Sequence, residues 1–384
     1  MISERKGSVI YMSVNGVNYS LYLPSYSIGS DCYKEIPYVT RFFGKTAAVI
    51  GGKTAMSKAK QALLDGIDGS DVKILDFIEY GGDSTYENGD ALISNPVVRE
   101  ADMIFAVGGG RACDTGKYVA DKLDKPLFTF PTVASNCSPV TAISVIYNTD
   151  GTFRDYYYPK LANHCFINSA VIADSPEHLL WAGIGDALSK EYEALFSSKD
   201  DVLSHTPLMG KQLSRVCTEP LLEYGADALK AIREKKPSFA LEQVILDIIV
   251  STGIISNMMT TVDGYYYNST LAHCIYYGAT VTEHGHSHLH GEIVSLGVLC
   301  LLQFEGRSDE VERIMKFNHS IGLPVCFDDI EVEESEFEKM ADKFVLTTEW
   351  AHKPSGVTRD GYIGAMRELN KIGREFKKSI DEKH

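Results

Sequence analysis

Two short apolar runs in this chain each end in consecutive glycines. Thr46–Ile50 (T-A-A-V-I) runs into Gly51-Gly52, and Met103–Val107 (M-I-F-A-V) runs into Gly108-Gly109-Gly110. A continuous apolar run of this length suits a strand covered on both faces, which is the habit of parallel sheets. Parallel neighbours need a crossover between them, and a helix supplies it. The intervening sequence agrees: a helical pattern from Ala55 to about Leu64, the strand Val72–Phe77, a further helix, and after the second glycine run another helix before the strand Pro126–Phe130. This alternation constrains the N-terminal part to a mostly parallel α/β sheet. Ahead of it, V-I-Y-M-S-V and V-N-Y-S-L-Y-L flank Asn15-Gly16. Asn-Gly accepts the positive φ of a type I′ turn, so this stretch is expected to form a β-hairpin.

Beyond about residue 175 the period changes. Helical patterns cover Leu179–Leu195, Pro207–Lys235, Ala240–Thr260, Glu292–Phe304, Asp309–Ile321 and Gly361–Lys377. With 384 residues, two domains are expected. They are an α/β domain of nucleotide-binding type over 1–175 and an all-helical domain over 176–384, with the boundary near Asp174-Ser175-Pro176. The most apolar stretch, Val244 to Ile255, is short and interrupted by Asp247, Ser251, Thr252 and Gly253, so it reads as a core helix and not as a membrane span. A formal charge of −15 argues against nucleic acid or an anionic membrane as partner. Eight cysteines without a C-x-x-C pair, and an N-terminus (M-I-S-E-R-K-G-S) without an apolar segment, lead to the expectation of a cytoplasmic chain with reduced thiols.

Chemistry concentrates in three places. Gly108–Gly110 follows a strand and opens a helix, where bare backbone and free N–H groups suit a diphosphate; it is not G-x-G-x-x-G, and a plain tight turn is the alternative. Arg111, Asp114 and Lys117 follow, the last two spaced to pair on a helix surface. The segment Pro131–Tyr147 (P-T-V-A-S-N-C-S-P-V-T-A-I-S-V-I-Y) also follows a strand and is rich in small polar side chains, which suits a ligand-lining loop. Finally, five of the eleven histidines (His273, His284, His286, His288, His290) fall within eighteen residues. Imidazole is the commonest metal ligand, but the cluster alone leaves a metal site and a solvated loop equally open.

Together, A-V-G-G-G-R-A-C-D-T-G-K, P-T-V-A-S, A-I-S-V-I-Y, A-G-I-G-D-A-L, A-H-C-I-Y-Y-G, L-H-G-E-I-V-S-L-G-V and I-G-L-P resemble the iron-containing alcohol dehydrogenase superfamily, in its glycerol dehydrogenase-like branch, from about residue 25 to 325. The resemblance implies a dehydroquinate synthase-like fold: a Rossmann-like dinucleotide-binding domain followed by an all-α metal-binding domain. It also implies a metal held by Asp186, His273 and His290, which are thereby the catalytic centre. Lys190 stands where four-ligand members carry a histidine, so a three-ligand site favouring zinc over iron is expected, with an open position for substrate. His284, His286 and His288 become bystanders, His286 having the best claim to line the substrate pocket. The implied reaction is metal-assisted hydride transfer between a small alcohol, a polyol or 2-hydroxy acid, and a nicotinamide. The diphosphate would lie on Gly108, Gly109 and Gly110, and Thr132, Ser135, Ser144 and Val145 would flank the nicotinamide. A homo-oligomer, dimer to octamer, is also implied.

Three departures from the branch matter. Gly52 and Lys53 stand where NAD-using relatives place an acid on the adenosine ribose; with Thr54 they could take a 2′-phosphate, so NADP(H) is expected over NAD(H). Asn136 and Cys137 replace a Thr-Asp pair that bonds polyol hydroxyls, and a thiol is a poor acceptor. That raises the alternative of a 2-oxo acid reductase, with Arg154 or Lys160 as carboxylate partners. Tyr276 replaces a histidine three residues after His273, and either relays a proton through its hydroxyl or packs. A dehydroquinate-synthase-like lyase and a non-catalytic binding protein are the remote readings.

Overall fold

A computed structural model describes residues 21–261 and 264–382. The hairpin expected around Asn15-Gly16 lies outside the described residues. Eight strands follow: β1 (Tyr26–Ile28), β2 (Thr46–Gly51), β3 (Lys73–Glu79), β4 (Met103–Gly108), β5 (Leu127–Pro131), β6 (Ser144–Tyr147), β7 (Phe153–Tyr157) and β8 (His164–Ile167). Six of them form one sheet in the order β1-β8-β5-β4-β2-β3, and every neighbouring pair is parallel. β6 and β7 form a separate antiparallel ribbon.

The apolar runs are continuous because both faces of the sheet are covered. Successive side chains alternate in direction. Ala47, Val49, Met103, Phe105 and Val107 therefore pack with Met56, Ala59 and Leu63 of the helix Lys53–Ile67, labelled α1. Ala48, Ile50, Ile104 and Ala106 pack with Tyr118 and Val119 of the helix Gly110–Leu123, labelled α2, on the opposite face. The connection after β2 leads away to β3, and that after β4 leads the other way to β5. A crevice consequently opens between the carboxyl ends of β2 and β4, the position where such sheets bind ligands. Both strands end there in glycine for cause. A Cβ on Gly51 would sit 2.3 Å from the Val107 carbonyl oxygen, and Gly108 has φ +149°.

From Ser169 onward the described residues form helices, with only an isolated bridge between Thr260 and Tyr266. The expected Leu179–Leu195 helix is two, Glu177–Ala187 (α3) and Ser189–Ser197 (α4), with Leu188 between them. The expected Pro207–Lys235 helix divides into His205–Leu213, a 3₁₀ turn at Ser214–Cys217, and Glu219–Arg233, whose Pro220 suits a first helical turn. Phe239–Met259 runs continuously with a π turn at Asp247–Ser251. It is the one described helix long and apolar enough to cross a membrane, yet most of it is buried, and Val244, Ile245, Ile248 and Ile249 belong to the main core. Leu271–Ala279 (α5) escaped the sequence reading, and the helix expected from Glu292 starts two residues earlier, His290–Phe304 (α6).

Candidate metal and cofactor site

Asp186 sits in the last turn of α3, His273 in the first turn of α5, and His290 is the first residue of α6. One potential ligand atom from each lies within 4.8 Å of the others. Asp186 Oδ1 is 3.2 Å from His290 Nε2 and 3.6 Å from His273 Nε2. Glycines beside these residues create the convergence. A Cβ on Gly291 would fall 1.8 Å from the Ala182 carbonyl oxygen, and one on Gly185 would fall 2.3 Å from the Gly291 carbonyl oxygen. α3 and α6 thus cross backbone to backbone next to Asp186 and His290. Farther along α6, a Cβ on Gly297 would meet the Ala272 carbonyl oxygen at 2.2 Å, which brings α5 in beside His273. Glu292 sets the start of α6 by accepting from the Leu289 N–H at 3.0 Å, and its other oxygen holds His288 Nδ1 at 2.9 Å.

The trio is arranged for a cation. Burial works to raise the Asp186 carboxyl, but His290 and His273 outweigh it and hold the group well below the usual carboxylate range. Burial works to lower His273, but Glu193 and then Asp186 reverse this and push it up to about 10. Two carboxylates converging on one imidazole favour positive charge there, and a cation held at Nε2 in place of a proton meets the same field. Glu193 is the member that sequence reasoning missed. It lies on α4, is fully buried, and accepts from His273 Nδ1 at 2.6 Å, from Thr270 N–H at 2.7 Å and from His273 N–H at 3.1 Å. The one available signal was an acid seven residues after Asp186 in an otherwise core-facing pattern.

The other histidines do not join. His284 and His286 are exposed, His286 Nδ1 lying 3.4 Å from the Thr282 carbonyl oxygen; His288 pairs with Glu292. Lys190 is buried, and its ammonium donates to the Asn268 backbone oxygen at 3.0 Å and side-chain oxygen at 2.6 Å. Tyr276 packs edge-on against His290, ring centroids 4.2 Å apart.

On the cofactor side, Gly109 caps α2 without a side-chain partner, and Gly110 lies against Asn136, whose amide nitrogen a Cβ would approach to 2.8 Å. Asp114 and Lys117 were expected to pair on the surface. They pair at 2.8 Å in the interior instead, because this face of α2 packs under the loop after β5. Asp114 accepts from Ser138 Oγ (2.6 Å) and Val145 N–H (3.1 Å), and Lys117 donates to the carbonyls of Ser138 (3.0 Å), Thr141 (3.3 Å) and Ile143. The pair is a strut beneath residues 138–145 of that loop. Ser144 is fully buried, with its hydroxyl on the Asp114 carbonyl, while Val145 and Ser135 are half-buried and Thr132 buried. At the end of β2, Gly52 caps α1 without a side-chain partner, and Lys53 and Thr54 are exposed. Cys137 Sγ is 3.9 Å from Ser256 Oγ. Arg111 reaches Asp83 at 3.4 Å and covers the Tyr147 ring. Arg154 and Lys160 instead pair with Glu87 at 3.0 Å and Asp124 at 3.1 Å.

A parallel sheet with a glycine-lined switch point, joined to a helical unit bearing an Asp-His-His trio, defines a metal- and nicotinamide-dependent oxidoreductase. Comparison with known proteins agrees. Residues 24–174 match the family of iron-containing alcohol dehydrogenases. A glycerol dehydrogenase of Thermotoga maritima is 33% identical over 77% of this chain and 81% of its own length. A glycolaldehyde reductase of Halobacterium salinarum is 28% identical over 92% of this chain and 97% of its own. The crystal structure of a Schizosaccharomyces pombe glycerol dehydrogenase superimposes with a TM-score of 0.82 at 22% identity, covering 95% of this chain and 94% of that one. The chain belongs to the iron-containing alcohol dehydrogenase superfamily, in its glycerol dehydrogenase-like branch. It is accordingly an alcohol dehydrogenase that uses a nicotinamide dinucleotide and a divalent metal.

Proposed function

We propose that Asp186, His273 and His290 hold one divalent metal, zinc in preference to iron, and that the enzyme interconverts a small polyol or 2-hydroxy acid with its carbonyl form, using NADP(H) in preference to NAD(H). The observation that carries the metal assignment is the convergence of the three side chains within 4.8 Å, with both imidazoles turned toward one carboxylate oxygen. The donors suit zinc: two nitrogens and one carboxylate, with Lys190 engaged by Asn268 and not available as a fourth ligand. Bound there, a divalent metal would polarise a carbonyl or acidify an alcohol, and the nicotinamide would exchange the hydride.

The chain's own residues do the remaining work. Free N–H groups at the start of α2 and the bare backbone of Gly108–Gly110 suit a diphosphate. Lys53 and Thr54, at the uncapped start of α1, suit a 2′-phosphate, and no carboxylate stands at Gly52 to repel one. Asn136, beside Gly110, Cys137, beside Ser256, and Tyr276, against His290, are the proposed substrate contacts, together with the exposed His286. Tyr276, half-buried, packs edge-on against the His290 ring and fixes one side of that imidazole. The division into two domains is read between residues 175 and 176, a reading supported by the helices that follow β8 among the described residues. A homo-oligomer follows from resemblance to the branch. A cytoplasmic location is supported by eight unpaired cysteines.

The test is metal analysis of the purified protein together with kinetics on glycerol, glycolaldehyde and 2-oxo acids with both cofactors, followed at 340 nm. Stoichiometric zinc and at least tenfold better kcat/KM with NADPH are expected, and Lys53→Ala should remove that preference. At least tenfold better kcat/KM with NADH overturns the cofactor assignment. A metal-free protein that does not bind NADPH overturns the whole reading.

A further inference from the structure

We propose that Glu193 is a positioning residue that selects the tautomer of His273, and so decides whether that imidazole can hold a metal at all. The inference rests on the metal assignment above. An imidazole ligates through a nitrogen that carries no proton, and the hydrogen bond made by its other nitrogen sets which one that is. Here Nε2 points to Asp186 and toward His290, and Nδ1 lies 2.6 Å from Glu193 Oε2. A carboxylate can only accept, so it keeps a proton on Nδ1 and leaves the Nε2 lone pair facing the site.

Glu193 is itself fixed. Its second oxygen, Oε1, accepts the backbone N–H groups of Thr270 (2.7 Å) and His273 (3.1 Å) at the start of α5. Three donors converge on this side chain, and it has no exposed surface. It therefore cannot rotate away from Nδ1 without abandoning two backbone N–H groups in the interior, which is costly. A merely structural role would consist of those two backbone bonds alone, tying α4 to α5. The third bond, to the imidazole, is the one that acts on the site.

These contacts make Glu193→Gln a sharp probe. The substitution keeps size and shape. The amide oxygen must face the two backbone N–H groups, because its NH₂ would oppose them donor to donor. The NH₂ must then face Nδ1 and donate to it. That reverses the tautomer, puts the proton on Nε2 and blocks the lone pair that faces the site. The backbone bonds of α5 survive.

The experiment measures zinc affinity by competition with a chromophoric chelator, for wild type, Glu193→Gln and His290→Ala, with thermal unfolding of each metal-stripped protein alongside. Glu193→Gln should bind zinc about 10- to 100-fold more weakly, the range for such hydrogen-bonded partners of a ligand. The unfolding midpoint of its metal-stripped form should stay close to wild type. Equal zinc affinity in wild type and Glu193→Gln, with His290→Ala impaired, overturns the role of Glu193 and leaves the metal assignment standing. Zinc binding unaffected by His290→Ala, or absent from wild type, overturns the metal assignment and this inference with it. If Glu193→Gln does not fold, nitrogen-15 NMR of the histidines in zinc-loaded wild type decides: a proton on His273 Nδ1 supports the proposal, and a proton on Nε2 overturns it.

Discussion

Gly291 is where the geometry of the trio is most exposed to a single methyl group. In Gly291→Ala the new Cβ would lie 1.8 Å from the Ala182 carbonyl oxygen, 2.7 Å from its carbon and 2.9 Å from the Asp186 nitrogen. Favourable contacts between heavy atoms begin near 3.5 Å, and all three neighbours are backbone, so no side chain can swing aside. α6 must retreat from α3 by more than an ångström, and His290 at its first residue travels with it, away from the Asp186 oxygen now 3.2 Å distant. Overpacking of this kind costs about 1–3 kcal/mol. A displacement of about 1 Å at a reacting centre costs on the order of 10²-fold in rate, which is the larger consequence for function. Gly364→Ala provides the internal control: it lies within the helix Arg359–Asp381, and its Cβ would meet nothing within 4 Å. Replacing a helical glycine there should stabilise by about 0.5–1 kcal/mol and leave zinc affinity and kcat/KM unchanged. The assays are urea unfolding, chelator competition for zinc and steady-state kinetics on all three proteins. A Gly291→Ala enzyme with wild-type zinc affinity and unfolding midpoint would refute the argument that backbone contact between α3 and α6 sets the site.

Asp247 is buried in the π turn, and burial, partly offset by Ser251, raises its carboxyl from 3.8 to about 8. The folded state thus holds a proton that the unfolded state releases, so this group's contribution to stability declines from about pH 4 to about pH 8, by at most about 1.4 kcal/mol per pH unit, and levels off above that. Asp247→Asn should flatten the pH dependence of the unfolding free energy in this window and raise it at pH 8; a profile that superimposes on wild type counts against the assignment. Lys117→Met leaves the Asp114 carboxylate and the Ser138, Thr141 and Ile143 carbonyls without their cation, a loss of about 3–5 kcal/mol for a broken buried pair. Denaturant unfolding should show it together with a raised KM for the dinucleotide, whereas a loss below about 1 kcal/mol, the scale of a surface pair, would contradict the strut.

Much of the architecture is local and was therefore legible. Apolar runs ending in glycine at residues 51 and 108 announced parallel strands with bare backbone at their ends, since those signals depend only on strand period and the absence of a Cβ. Resemblance to the family added Asp186, His273 and His290, which the residue pattern alone had left as one acid among many and two of five clustered histidines. Helix ends were less legible. Leu188 divides α3 from α4 without a proline or glycine to mark it, and α5, at 9 residues, is too short for its helical period to stand out.

The sequence by itself determined the alternation of strand and helix, the two glycine turns and the identity of the residues able to bind a metal. These follow from backbone freedom and side-chain chemistry, which each residue carries wherever it is placed. Tertiary structure alone decided which of those residues meet and what surrounds them. Spacing of three put Asp114 near Lys117, but only the packing of α2 under the loop after β5 buried the pair and made it a strut. Nothing in the chain order tied Glu193 to His273, eighty residues apart. The crossing of α6 over α3 and α5 at glycines brought the imidazole to that carboxylate, because burial and hydrogen-bond geometry are properties of a packed neighbourhood and not of a residue.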